Sequence, residues 1–285
     1  MQRSSRYIVL ALAILALVVG IIWYAVYAES RRGMLTVSFL DVGQGDAIFI
    51  DAPSGRQVLV DGGKSAQVLR ALGDVMPWYD RSIDFIVATH PDADHIGGLV
   101  DVLGRYRVRA VLEPSVRDND GSDSRALERA LLAEGSVRTM AARGQVLELG
   151  GGAYFEILFP DREVPRLESN AGSIIMRLVY GDTSVLLTGD APDEIEEYLV
   201  ALDGERLRST VLKVGHHGSK TSSSPLFLGY VDPEYAVVSR GCDNSYGHPA
   251  PEVVARYETF GIPTLDTCAD GAITFESDGT TMEQK

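Results

Sequence analysis

The sequence predicts an α+β fold in which two β-sheets pack together with helices on their outer faces, behind one apolar helix long enough to cross a membrane. Three observations carry that prediction. β-rich runs recur in two blocks, each followed by helical segments. The N-terminal stretch "YIVLALAILALVVGIIWYAVYA", Tyr7 to Ala28, holds no charge and has about the ~20 residues needed to span hydrocarbon. Histidines and aspartates gather where the strands stop. At 285 residues and 45% hydrophobic, the chain can bury a large core, and no Pro- or Ser-rich linker divides it. Residues 1–32 are therefore read as an anchor and residues 33–285 as a single domain.

The apolar run has no polar face, which argues against a core helix. Arg3 and Arg6 precede it and Glu29, Arg31 and Arg32 follow, so the positive-inside bias favours a cytoplasmic N-terminus and an extracytoplasmic domain. Trp23, Tyr24 and Tyr27 stand where an interfacial aromatic belt would lie. The competing reading is a signal peptide cleaved after Ala28, because Val26-Tyr27-Ala28 resembles a cleavage site. The run is longer than a usual signal core, and an anchor is preferred.

Next come "LTVSFLDV", "DAIFIDA" and "RQVLVDGG", short β-rich runs split by Gly-containing turns, as in an antiparallel meander. A helix follows from about Ser65 to Met76. "IDFIVATH" is almost continuously apolar, the mark of a strand buried on both faces, and it ends at His90. "VRAVLEP" and "SDSRALERALLAEG" add a strand and a helix. "GSIIMRLVY" and "TSVLLTGD" flank Gly181-Asp182 as a hairpin. The remainder alternates: a helix from Pro192 to Leu202, the strand "STVLKVGHHGS", a helix opening at Ser224-Pro225, the strand "YAVVS", the helix "PEVVARYETF" and a last strand at "AITFES". Cys242 and Cys268 flank that last helix. If their strands are parallel neighbours in an oxidising compartment, the two can form a disulfide; two separate buried thiols are the alternative.

The formal net charge is −14, and most of the carboxylates are read as solvated surface. No basic stripe is present, so a polyanion such as DNA is repelled at long range, and no stable DNA-binding surface is expected. Slow or local cleavage of a nucleic acid is not excluded by this balance.

The chemistry lies in the connections. "THPDADHIGG" places His90, Asp92, Asp94 and His95 in one loop after a strand, where their side chains can converge. Imidazole with carboxylate is a ligand set for zinc, manganese or iron, not for a thiolate-selected metal. Read alone, the loop is also an ordinary turn whose aspartates cap the next helix. Asp190 at the end of "LLTGD", and His216 with His217 at the end of "LKVGHHGS", repeat the pattern and favour a metal centre. Two ions there would divide the work, one lowering the pKa of a bridging water to ~7 and the other holding the leaving oxygen.

The ordered motifs "DVGQGDA", "LVDGG", "THPDADHIGGL", "SNAGSIIMRLVYGDTSVLLTGD", "LKVGHHGSKTSSS" and "NSYGHPAPEVVARYETFGIPTLDT" resemble the metallo-β-lactamase-fold domain of ComEC-type competence proteins. The likeness runs from Leu35 onward; the multispanning portion of those proteins has no counterpart here. It implies a four-layered αββα sandwich with one or two divalent ions, Zn or Mn, at the sheet edges. The fold's motif is His-x-His-x-Asp-His, with Asp92 here at the second histidine. By this match His90 and Asp92 serve a first ion, Asp94 and His95 a second, and Asp190 bridges them. His217 is chosen as a further ligand and His216 kept as the alternative, since a strand's alternating faces bring only one of the two to the ion. No histidine stands between the first motif and Asp190 for the fold's usual ligand, and Asn170 is the nearest polar residue.

Supporting roles follow from the same resemblance. Asp61 is expected to hydrogen-bond a ligand histidine, unless it merely forms the turn before Gly-Gly. Gln44 and Asp46 are expected to border the pocket, with a hairpin turn as the plainer reading. Asp94 and His248 are the candidate catalytic residues. His248 would give a proton or hydrogen bond to a phosphate oxygen, with Ser219 and Lys220 nearby. The function expected is a membrane-anchored, extracytoplasmic metallohydrolase of phosphodiesters, such as those of nucleic acid, acting through a metal-activated hydroxide. Hydrolysis of a carboxylic ester, lactone or amide, and a non-catalytic binding role, are the alternatives.

Overall fold

Side chains alternate across a strand, and this alternation sorts the apolar residues into separate cores. Along β1 (Leu35–Phe39), β2 (Ile48–Asp51) and β3 (Gln57–Val60), the residues Val37, Phe39, Ile48, Ile50, Val58 and Val60 face the second sheet, while Phe49 and Leu59 face helices. The structure, a computed structural model, describes residues 2–30, 33–116, 121–163 and 167–285. The first sheet continues through β4 (Ser82–Val87), β5 (Arg107–Glu113) and β6 (Val137–Met140). Its other edge is β14 (Ile273–Ser277) and β15 (Met282–Gln284), giving the order β15-β14-β1-β2-β3-β4-β5-β6. The second sheet holds β7 (Val146–Gly150), β8 (Ala153–Phe159), β9 (Ile175–Tyr180), β10 (Thr183–Leu187), β11 (Val211–Lys213), β12 (Tyr235–Val238) and β13 (Thr264–Asp266), adjacent in reverse chain order.

Helices cover both outer faces. The first sheet packs Phe49, Ile83 and Ile86 against α2 (Gln67–Val75), α3 (Ala93–Ile96), α4 (Leu99–Arg105) and α5 (Ser122–Glu134) through Leu72, Ile96, Leu99 and Leu131. Leu186, Leu212 and Ala236 of the second sheet meet α6 (Asp193–Asp203), α7 (Pro225–Val231) and α8 (Pro251–Phe260) through Leu199, Phe227 and Tyr257. With the core between the sheets, these make the expected αββα sandwich.

In front of it, α1 (Gln2–Ser30) contains an apolar span, Arg6–Tyr24, of mean hydropathy 2.6 with none of it buried. That exposure removes the core-helix reading. The side chains of Arg3, Tyr27, Ala28 and Glu29, and Arg31 and Arg32 altogether, lie outside the described residues.

Two expectations change. The strand read as "STVLKVGHHGS" stops at Lys213, and His216 and His217 sit in a tight turn with left-handed backbones, φ +47° and +54°. Strand alternation therefore does not choose between them. The strand expected to end at His90 ends at Val87, so His90 already belongs to the loop. Cys242 and Cys268, which follow the parallel neighbours β12 and β13, form a disulfide.

Candidate metal centre

One end of the two sheets supplies every element of the centre: the loop before β2, and the connections after β3, β4, β10, β11 and β12. The loops interlock through backbone contacts. Gly62 N donates to His95 O at 2.7 Å and Asp46 N to Asp94 O at 3.3 Å. Gly45, at φ +117°, makes the second contact possible, since a Cβ there would fall 1.9 Å from the Asp94 carbonyl oxygen.

Asp190 is the hub. Its Oδ2 lies 3.2 Å from His95 Nε2, 3.3 Å from His217 Nε2, and 3.9 Å from both His90 Nε2 and His216 Nε2. The far nitrogens of the three buried imidazoles are already fixed. His95 Nδ1 is 2.8 Å from Asp61 Oδ2, His217 Nδ1 is 2.8 Å from the Ser239 carbonyl, and His90 Nδ1 is 3.0 Å from Thr89 Oγ1. Thr89 Oγ1 donates to Asp61, leaving its oxygen to accept from His90. These partners place the proton of each neutral ring on Nδ1 and turn an Nε2 lone pair inward. All three Nε2 atoms are buried without a hydrogen-bond partner.

Such a cluster calls for positive charge. Burial opposes ionisation of His95 and His217, yet the surrounding carboxylates together outweigh it, Asp190 and Asp61 at His95 and Asp190, Asp46 and Asp94 at His217, and raise both well above the ordinary imidazole range. Burial and the neighbouring His95 push His90 the other way, well below that range. A divalent cation answers this demand with the donor set at hand, so the residues fit the metal that the resemblance implies. Asp94, His95 and His217 can converge on one ion; His90, His95 and Asp190 form a second, overlapping group.

The remaining expected residues divide. Asp61 faces His95, Oδ2 to Nδ1. Asp92 is not within either group: Ser169 Oγ donates to its Oδ1, and its Oδ2 is 3.9 Å from His90 Nε2. The position assigned to His90 and Asp92 is thus the less complete of the two. Asn170 lies beside it, Nδ2 3.5 Å from His216 Nε2, with Oδ1 buried and unpaired. His216 and His248 form a half-exposed rim, ring centres 5.8 Å apart, and Tyr246 stacks on His248. All five histidines of the chain thus surround Asp190 or its rim. Gln44 is a loop tie, its Oε1 accepting from Gly241 N at 3.2 Å. Ser219 bonds Thr221 within its own turn and Lys220 is exposed.

Asp46 goes deeper than the pocket border expected of it, because of a residue the sequence reading passed over. Lys213 is fully buried, its ammonium paired with Asp46 Oδ2, 3.5 Å from Asp190 Oδ1 and donating to Gly189 O at 3.0 Å. The signal was present: a lysine between Leu212 and Val214 in an otherwise apolar strand must find a carboxylate or leave the core.

This fold and centre define a metallo-β-lactamase-type protein, and residues 40–241 match the metallo-beta-lactamase superfamily. The chain belongs to that superfamily. Among curated proteins it is 30% identical over 256 residues to ComE operon protein 3 of Bacillus subtilis, covering 84% of this chain and 32% of the relative. It is 35% identical over 243 residues to competence protein ComA of Neisseria gonorrhoeae, again covering 84% of this chain and 32% of that protein. The chain thus spans about a third of these relatives. Similar solved structures include CmlA, a diiron beta-hydroxylase from Streptomyces venezuelae, at TM-score 0.55 and 16% identity, covering 84% of this chain and 53% of that one. Zn(2+)-bound PqqB from Methylobacterium extorquens aligns at TM-score 0.52 and 11% identity over 85% of this chain and 99% of that one. These likenesses are likenesses of fold.

Proposed function

We propose that this chain is a membrane-anchored, extracytoplasmic metal-dependent hydrolase of phosphodiesters, with nucleic acid as the substrate class. The observation that carries the reading is the convergence of three oriented, unpartnered imidazole nitrogens on Asp190. Asp94, His95 and His217, with Asp190, would hold one ion; His90 and Asp190, with Asp92 turned inward from Ser169, would hold another. Zn or Mn bound there would supply Lewis acidity and a water pKa lowered toward ~7.

The chain's own residues do the rest. Asp61 and the Ser239 carbonyl lock the imidazoles that face the reacting group, so no reorganisation is needed during reaction. His248, at the open rim, has a buried and unpartnered Nδ1 and is lowered by burial and by His216. It is placed to bond a phosphate oxygen or to return a proton to the leaving oxygen. Relatives named for competence supply a nucleic-acid context. The apolar helix supports anchoring, and the Cys242–Cys268 bridge accords with an oxidising compartment outside the cytoplasm.

The full chain in lipid nanodiscs, loaded with Zn or Mn, should cleave single-stranded DNA and a small aryl phosphodiester. His95→Ala and Asp190→Ala should abolish both cleavages along with metal binding. Failure to retain stoichiometric metal would overturn the enzyme reading. Turnover of a lactone or β-lactam without a phosphodiester would replace the substrate class. A C-terminal reporter active only in the cytoplasm would reverse the topology.

A further inference from the structure

Trp78 and Tyr79 are among the most exposed large side chains outside α1, 82% and 59% accessible, and their rings pack edge to face with centres 5.7 Å apart. They occupy the turn between α2 and β4, at the end of the sandwich opposite the metal centre. β4 runs from Ser82 beside them toward His90, so about 20 Å of strand separates the two ends. The same end receives α1. Gly33, three residues beyond that helix, donates to Pro53 O in the β2–β3 turn at 3.4 Å and accepts from Tyr180 Oη at 2.6 Å. From that turn, β3 opens at Gln57, whose Nε2 donates to Asp80 Oδ2 at 2.9 Å, next to the ring pair.

We infer that this end of the domain, with Trp78 and Tyr79 at its tip, is a second membrane contact that seats the sandwich on the lipid headgroups and points the metal centre away from the bilayer. Single exposed apolar residues need no explanation. A Trp-Tyr pair is different: these two residue types concentrate at membrane interfaces, where an apolar ring and a polar edge are both satisfied. Continuity with α1 identifies the occupant as lipid, because the chain between Tyr24 and Gly33 is too short to carry this end far from the bilayer that the span enters.

The inference rests on the anchor reading, and the chain's two tryptophans separate their failures. In the full chain reconstituted into phosphatidylcholine/phosphatidylglycerol vesicles, Trp23→Phe leaves Trp78 as the sole tryptophan and Trp78→Phe leaves Trp23. Lipids brominated near the headgroup end of the acyl chain should quench both variants and blue-shift Trp78 relative to detergent. Quenching of Trp23 with Trp78 unquenched would overturn the second contact and keep the anchor. Loss of quenching in both would overturn the anchor, and the contact with it.

Discussion

At the scale of single residues, Lys213 separates charge from coordination. Its ammonium neutralises Asp46, whose carboxylate otherwise joins two of the four groups that can converge on a cation. Burial works against that charge, but Asp46 and Asp190 hold the lysine above its ordinary range. Lys213→Met leaves a buried carboxylate uncompensated, and should lower the metal-free stability by about 3–5 kcal/mol in urea unfolding. Adding Mn should narrow the difference from the parent chain, since a divalent ion restores the missing charge and binds only the folded state. An unchanged gap would mean that Lys213 acts through packing alone. The histidines give a sharper count. Asp190 lies beside His90, His95 and His217 and can serve both ions, whereas His90 can serve one. Asp190→Ala should therefore abolish metal binding, and His90→Ala should remove one ion per chain, as read by elemental analysis after gel filtration. Equal losses would contradict two overlapping positions.

At the scale of elements, Glu196 shows how the helix that follows Asp190 braces the segment between the His216-His217 turn and α7. It sits in the first turn of α6, fully buried, and its two carboxylate oxygens accept from Ser223 N and Ser224 N at 2.8 Å each, where α7 begins. Burial pushes this carboxyl up to about 8, against those two donors, which favour the ionised form. The native state thus keeps a proton that the unfolded chain releases near 4.5. The resulting stabilisation is complete below that pH and is lost as pH rises toward 8, so the Glu196 contribution should fall across that window. Denaturation midpoints of the metal-free chain measured from pH 5 to 8 should fall more steeply in the parent chain than in Glu196→Gln, the difference being the Glu196 contribution. What the sequence disclosed is clearest at this scale. Period-two runs and an apolar β4 announced the sandwich, and the strand ends announced the ligands. β7 and β8 went unread because the Gly150-Gly151-Gly152 run between them looks like loop, although it is their turn. The strand-alternation argument for preferring His217 to His216 does not apply, because the two sit in a left-handed turn of non-glycine residues, which leaves no mark in hydrophobic periodicity; that turn buries His217 and leaves His216 half-exposed. Ser169 and Thr89 were invisible for a further reason: their roles exist only once distant loops meet.

At the scale of the whole molecule, the net charge of −14 and the proposed nucleic-acid substrate oppose each other. A basic nuclease gains encounter rate from its field and loses affinity as salt is added. Here the net charge repels a polyanion at long range, and attraction would come from ions held at the centre and from groups close to it. Monovalent salt shortens the screening length from ~10 Å at 0.1 M to ~3 Å at 1 M, which weakens the repulsion before it reaches contacts inside the centre. For the metal-loaded chain, kcat/KM on a long single strand should therefore rise with added salt over the lower part of this range. A small aryl phosphodiester carries one charge, so its kcat/KM should change far less, and kcat should stay constant for both substrates because the chemistry lies inside the centre, where added salt screens little. A steady fall in kcat/KM on DNA from the lowest salt would show that local cations, such as Arg125 and Arg129 in the cavity beside His90, outweigh the repulsion of the net charge. Equal responses of the two substrates would show instead that encounter with the strand does not limit the reaction.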